Sequence, residues 1–187
     1  MHQFTFKPVT AEEWGDLQAL FAEHGEQNGC WCMYWRIKRA DFQAGYGESN
    51  KLAMEQIIKS GITPGILAYL DGQPVGWCSV APREQFPVLD RSPTLKRVDD
   101  EPTWSIICFF VSAHYRRKGL SKALLEAAIE YARDNGAKII EAYPITLEGA
   151  EYPRYETYMG VVSMFEQAGF KQVARRSKRR PIMRFTV

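Results

Sequence analysis

Eight consecutive residues, Trp104-Ser105-Ile106-Ile107-Cys108-Phe109-Phe110-Val111, constrain this chain more than any others. So continuous an apolar run predicts a central strand covered on both faces, because a strand with one wet face alternates apolar and polar residues. Downstream, Leu120, Ala123, Leu124, Ala127, Ala128 and Tyr131 recur at helical spacing, and Asn135-Gly136 supplies the terminator. Lys138 to Tyr143 then reads as a second strand. Strand, helix and strand in this order predict a crossover unit whose two strands run parallel.

The flanking segments extend the sheet. Phe4 to Val9 alternates like a half-buried strand, and Thr10-Ala11-Glu12-Glu13 has the capping-box form that starts a helix carrying Trp14, Leu17 and Phe21, with Gly25 as its stop. A second helix is expected from about Asn50 to Lys59, closed by Gly61. Gly65 to Leu70 and Val75 to Ala81, joined by Asp71-Gly72, predict an antiparallel hairpin. The proline-rich, charged stretch from Pro82 to Pro102 reads as a long loop. Tyr158 to Ala168 predicts a helix ended by Gly169, and Lys171 to Arg176 with Arg180 to Val187 predict the last two strands, Pro181 favouring an edge position. No repeat or linker divides the 187 residues, so one domain over residues 1–187 is expected.

Hydrophobic residues at 45% and charged residues at 25% are ordinary for a globular chain, and a net charge of +2 gives no ground for a nucleic-acid partner. The start lacks the apolar core of a signal peptide and no later run reaches ~18 apolar residues, so a cytoplasmic protein without a membrane partner is expected. Cys30, Cys32, Cys78 and Cys108 then read as reduced thiols. Neither Cys30 with Cys32 nor the scattered His2, His24 and His114 has zinc-like spacing, so no metal is expected.

Arg116-Arg117-Lys118-Gly119-Leu120-Ser121 joins the central strand to the long helix, where the first helical N–H groups lack intrahelical partners. Those donors, the helix dipole and three adjacent cations make an anion site, and Gly119 lets phosphate approach the backbone. A solvated basic turn is the competing reading of the same residues. Neither G-x-x-x-x-G-K-[ST] nor G-x-G-x-x-G occurs, which disfavours an ATPase or a dinucleotide reader.

With Val111, Arg116 and Gly119 in place, the junction resembles the coenzyme motif V-x-x-x-x-[QR]-x-x-G-x-[GA] of the GNAT superfamily of N-acetyltransferases, Ser121 replacing the final Gly or Ala. The resemblance extends over the order of elements from Phe4 to Val187 and includes Met164 to Phe170 as the late helix-to-strand junction. It implies an α/β (α+β) fold, with a central mixed, mostly antiparallel sheet of about seven strands flanked by helices. It implies acetyl-CoA as co-substrate, with pyrophosphate on Arg116 to Ser121 and the pantetheine arm along the backbone of Phe109, Phe110 and Val111. The implied reaction is direct attack by a bound amine, with a backbone N–H of Phe110 or Val111 polarising the acetyl carbonyl.

Further candidates follow from the same chemistry. Many family members carry a proton-donating tyrosine four residues before the glycine of the late Gly-Phe pair, and here that position is Phe165. Tyr158 is the replacement phenol, with a packed tyrosine as the competing reading. Glu141, on a strand beside the implied splay, is either a partly buried base or a solvent-facing edge carboxylate. Glu148, Glu151 and Glu156 are loop carboxylates that either attract a cationic acceptor or are solvated. Trp31, Tyr34 and Trp35, in the region that forms the acceptor wall in the family, either line a substrate pocket or pack the core. Arg175, Arg176, Lys178, Arg179 and Arg180 read as a solvated basic turn, with a nucleic-acid surface on the last hairpin as the weaker competing reading.

The expected partner is an amine-bearing acceptor, small molecule or protein, and a homodimer is compatible with the fold. The alternative to an enzyme is a catalytically inactive module of the same fold that binds or senses acyl-CoA, a reading that Phe165 keeps open.

Overall fold

Seven strands form one sheet: β1 (Thr5–Pro8), β2 (Ile66–Leu70), β3 (Gln73–Pro82), β4 (Trp104–Val111), β5 (Ile139–Ala142), β6 (Lys171–Arg175) and β7 (Pro181–Thr186). Their order is β1-β2-β3-β4-β5-β7-β6, and every neighbouring pair is antiparallel except β4 with β5. The computed structural model describes residues 3–22, 29–147 and 156–187. The helices are α1 (Trp14–Ala22), α2 (Arg39–Ala44), α3 (Glu48–Lys59), α4 (Val88–Arg91), α5 (Leu120–Asp134) and α6 (Val162–Gln167).

Each face of the sheet is covered by its own apolar layer. On one, Leu120, Leu124, Leu125 and Ala128 of α5 meet Ile106 and Ile140, and Phe165 of α6 joins them. On the other, Leu17, Leu20 and Phe21 of α1 and Met54 and Ile58 of α3 meet Leu67, Trp77 and Ile107. Cover on both faces explains why β4 reads as an uninterrupted apolar run. The capping box also forms: the Thr10 hydroxyl donates to a Glu13 carboxylate oxygen at 2.5 Å and accepts from the Glu12 N–H at 3.2 Å, just ahead of α1.

Several expected elements are corrected. Pro181 opens an internal strand, since β7 lies between β5 and β6, and the first residue of a strand tolerates proline. The expected helix from Tyr158 begins only at Val162, because Gly160, at a φ of 82°, holds a left-handed conformation that no helix continues through. The stretch from Pro82 to Pro102, expected as a loop, carries a 3₁₀ turn at Arg83–Gln85 and α4, and buries Arg83, Phe86, Leu89 and Leu95. The stop at Gly25 lies outside the described residues.

Candidate active site at the splayed strands

Pairing of β4 with β5 stops early. Only Trp104, Ser105 and Ile106 find partners, in Ile140, Glu141 and Ala142, so the last five residues of β4 diverge from β5. A bulge assists the divergence: Ser79 of β3 pairs with Cys108 and Val80 with Ile106, which leaves Ile107 without a partner. Ile107 and Cys108 consequently face the same apolar layer.

Beyond the bulge the main chain alternates between the two sides of the strand. Phe109 donates its N–H to the Tyr158 carbonyl at 2.6 Å, across the gap that β5 has left. By the two-residue period Val111 faces the same gap and Phe110 faces β3. In agreement, Arg116 Nε donates to the Val111 carbonyl at 3.2 Å, while a Cβ on Gly76 of β3 would meet the Phe110 carbonyl at 3.3 Å. Of the three residues expected to meet the pantetheine arm, Phe109 and Val111 present main-chain groups to the opening.

The open end of β4 leads through a 3₁₀ turn, Ala113–Tyr115, into Arg116 to Gly119 and then α5. Arg116, Arg117, Lys118 and Gly119 are all exposed, Leu120 is buried as the first apolar anchor of α5, and Ser121 is half-buried. Arg117 and Gly119 take φ of 60° and 80°, which folds the turn back over the helix start. No side chain caps α5, so its first-turn N–H groups face outward among three cations. Space around the missing Gly119 Cβ is open. Exposed amides, a positive helix end and no side chain in the way fit a pyrophosphate.

Tyr158 joins the opening to the aromatic segment. Its hydroxyl accepts from Trp35 Nε1 at 3.2 Å and the Arg180 guanidinium lies 5.7 Å from its ring centre. Burial pushes the phenol well above its ordinary pKa, against the opposing pull of Arg180 and of the Trp35 N–H. Tyr158 therefore keeps its proton through neutral pH. Tyr34 stacks edge-on against Trp35 at 4.9 Å, and the pair borders a depression of about 190 Å³ with Arg39, Val88, Arg91 and Ser92. Trp31 points elsewhere, into the layer beneath α1, where its ring meets Trp14 at 5.6 Å and Phe21 at 5.3 Å, and it lines a separate depression of about 570 Å³ with Gln18, Gly47 and Lys51.

Two comparisons bear on this arrangement. The model of the Acetyltransferase (GNAT) family matches residues 17–158. The chain belongs to the GNAT acetyltransferase family. Solved GNAT structures carry the same fold: an acetyltransferase from Listeria monocytogenes superposes with a TM-score of 0.60 at 13% identity, covering 98% of this chain and 95% of that one. The PaiA N-acetyltransferase of Thermoplasma acidophilum, solved with coenzyme A, gives 0.56 at 14% identity over 99% of both chains. A ribosomal-protein-alanine N-acetyltransferase from Brucella melitensis gives 0.54 at 15% identity, over 98% and 99%. Among curated proteins no significant sequence match is found. Membership makes the chain an acetyl-CoA-dependent acyltransferase.

Phe165, the GNAT position for a proton-donating tyrosine, is 0% exposed and wedged edge-on between Phe109 at 6.1 Å and Phe170 at 5.0 Å, on the α5 side of the sheet. Tyr158 packs with the opposite layer, beside Trp35. The two rings thus lie on different faces of the sheet, Tyr158 on the face where the aromatic segment is.

Glu141 occupies neither of the positions weighed from sequence. It is 1% exposed, on an internal strand, at the closed end of the β4–β5 pair opposite Ser105. One carboxylate oxygen accepts from Arg83 Nη1 at 2.9 Å and from the Tyr143 hydroxyl at 2.8 Å, and the other accepts from Arg184 Nε at 2.9 Å. Arg83, itself 1% exposed, also donates to Asp90 and the Leu95 carbonyl, while Arg184 grips Asp99 through both terminal nitrogens. Burial works against the Arg83 charge, yet Tyr143, Asp90 and Glu141 together hold its pKa above the ordinary value. Its neighbours leave Glu141 no free approach for an amine. Sequence reasoning missed Arg83 because it lies in the supposed loop.

The remaining carboxylates and basic residues separate. Glu156 pairs with Arg179 at 3.1 Å, whereas Glu148 and Glu151 lie outside the described residues. The basic cluster is not a uniformly solvated turn: Arg180 donates to the Tyr143 carbonyl at 2.9 Å and the Glu156 carbonyl at 2.7 Å, and Arg176 holds the carbonyls of Lys96 and Arg97. Among the described residues no group of His, Cys, Asp and Glu is arranged to hold a metal ion, and no helix is long and apolar enough to cross a membrane.

Proposed function

We propose that this protein is an N-acetyltransferase that moves the acetyl group of acetyl-CoA directly to an amine, in the cytoplasm. The observation that carries the reading is the alignment of an uncapped, cation-lined helix start with the free edge of β4, which leads from Arg116 past Val111 to Phe109 and Tyr158. Phosphates rest on the turn from Arg116 to Ser121, main-chain groups of Phe109 and Val111 meet the acyl arm, and the Val111 N–H polarises the acetyl carbonyl. Tyr158 protonates the departing thiolate, and the acceptor enters beside Tyr34 and Trp35.

Two measurements test this. At 100 times its dissociation constant acetyl-CoA stabilises a folded protein by about 2.7 kcal/mol, so the melting temperature should rise by roughly 5–10 °C at this size. No shift at millimolar acetyl-CoA removes the reading. Release of free coenzyme A in a screen of chemically diverse amines separates an enzyme from the second reading, an inactive acyl-CoA-sensing module, which the buried Phe165 favours. Thermal shift without release under any amine supports the sensor.

Tyr158→Phe is expected to lower kcat by about 10- to 100-fold, at or below the low end for a lost general acid because a thiolate leaves readily. Acetyl-CoA affinity should change little. A kcat equal to that of the parent across pH 6–9 excludes Tyr158 as the acid, and a parallel fall in affinity makes it a positioning residue instead.

A further inference from the structure

The aromatic segment touches β4 through sulfur. Cys32 Sγ and Cys108 Sγ lie 3.4 Å apart, buried with 5% and 8% exposure, although 76 residues separate them in the chain. Trp77 Nε1 donates to Cys32 Sγ at 3.1 Å, so this sulfur is the acceptor and the better thiolate of the pair. Arg36, which acts electrostatically on Cys32, is buried and bonds only to neutral groups among the described residues: Gln85, the Pro64 carbonyl and Ser79. Its charge has no carboxylate to answer it there, so its field favours an anion at Cys32.

Backbone strain sits at the same place. Trp31 and Cys32 both take left-handed conformations, with φ of 48° and 53°, which bulky side chains rarely adopt and which neither residue gains from its own chemistry. The strained turn directs Cys32 inward to Cys108. Cys108 in turn belongs to the bulged stretch of β4 and immediately precedes Phe109, whose amide faces the splay. Cys30 is partly exposed, but burial and the adjacent Cys32 push its thiol up to about 12, which leaves it a poor nucleophile. Cys78 packs on the opposite face, against the α5 layer.

We propose that Cys32 and Cys108 are an oxidisable dithiol that closes to a disulfide in the presence of a peroxide and so staples the aromatic wall to β4 at the splay. The Cys32 thiolate attacks one peroxide oxygen, the O–O bond breaks, and the products are a Cys32 sulfenic acid and one water once the leaving hydroxide is protonated. Cys108 sulfur then displaces the sulfenic oxygen, which departs as the second water as the S–S bond forms. Both sulfurs are oxidised and the peroxide is reduced. The sulfurs need to close only the distance from contact to a bond. The effect on turnover rests on the acetyl-transfer reading, whereas closure of the disulfide does not.

The full chain treated with hydrogen peroxide, then alkylated and mapped without reduction, decides the matter. Of the four free cysteines, the number that alkylate should fall by two, the mass before alkylation should drop by about 2 Da, and one cross-linked pair should join the peptides of Cys32 and Cys108. Dithiothreitol should restore all four. Acetyl-CoA turnover should fall at least about fivefold on oxidation and return on reduction, a fall that a Cys108→Ala chain should not show. Unchanged alkylation, a cross-link through Cys30 or Cys78, or oxidation confined to Cys30 overturns the dithiol. A Cys32–Cys108 cross-link that leaves turnover unaltered overturns the staple. A parent chain without turnover defeats the acetyl-transfer reading and leaves the mapping result as it stands.

Discussion

Replacing Gly119 by valine is expected to lower acetyl-CoA affinity by about 100-fold or more while the chain stays folded. Two effects act together. Gly119 holds a φ of 80°, which a β-branched residue adopts only at a cost of about 1–3 kcal/mol, so the turn rebuilds and the first-turn amides of α5 lose their aim. Whatever side chain remains occupies the open volume beside those amides, where a phosphate must come close. Because that volume contains no protein atoms, the substitution creates no core clash, and far-ultraviolet circular dichroism with a cooperative melt should match the parent to within a few degrees. Arg116→Ala is the companion. It removes one charge-assisted contact and leaves the amides in place, so affinity should fall by only about tenfold. The ranking of the two variants is the test: if folded Gly119→Val bound acetyl-CoA as the parent does, the phosphate cradle would lie elsewhere.

Most of the sheet was legible because its signals are local. The apolar run of β4, the stripe of α5 and the Asp71-Gly72 hairpin each depend on neighbours within a few residues, and the fold keeps them nearly where the periodicity places them. The helix before Gly160 failed for an equally local reason that was present in the sequence and outweighed by apolar spacing. Arg83, Phe86 and Leu89 recur every third residue inside the supposed loop, a spacing that signals one buried face and that the four surrounding prolines obscured. Such a pattern identifies a buried face but not what a buried arginine meets.

Long-range partners were the illegible part. Arg83 and Glu141 stand 58 positions apart, Trp35 and Tyr158 123, and nothing in either neighbourhood announces the other. The same limit governs Trp31, Tyr34 and Trp35. Three aromatics within five residues lack a period, so which of them faces the core depends on the left-handed turn at Trp31 and Cys32, a conformation that propensity argues against. The exposed, uncapped turn before α5 was legible because it needs only a helix start, cations and one glycine. Contacts across the gap between β4 and β5, such as Phe109 with Tyr158, were less so, because they join distant parts of the chain.

Glu141→Gln is the variant that separates structural from catalytic duty at that gap. The substitution keeps the shape of the side chain and removes the one charge shared by Arg83 and Arg184 at the closed end of the β4–β5 pair. Asp90 and Asp99 still face those guanidiniums, but both aspartates are more exposed and each contacts one arginine of the pair. Breaking one partner of a buried ion pair costs about 3–5 kcal/mol, which at this size lowers the melting temperature by roughly 10 °C. Turnover measured well below that melting point should stay within about threefold of the parent, since both carboxylate oxygens are already engaged by Arg83, Tyr143 and Arg184. A base would behave in the opposite way, with stability nearly intact and kcat reduced by about 100-fold or more. Double replacement with Arg83→Met, which removes the buried cation as well as the buried anion, should recover part of the lost stability, because it is the uncompensated charge and not the missing contact that destabilises. If the double variant melted below Glu141→Gln, packing of the arginine stem would outweigh its charge, and the electrostatic account of this network would fail.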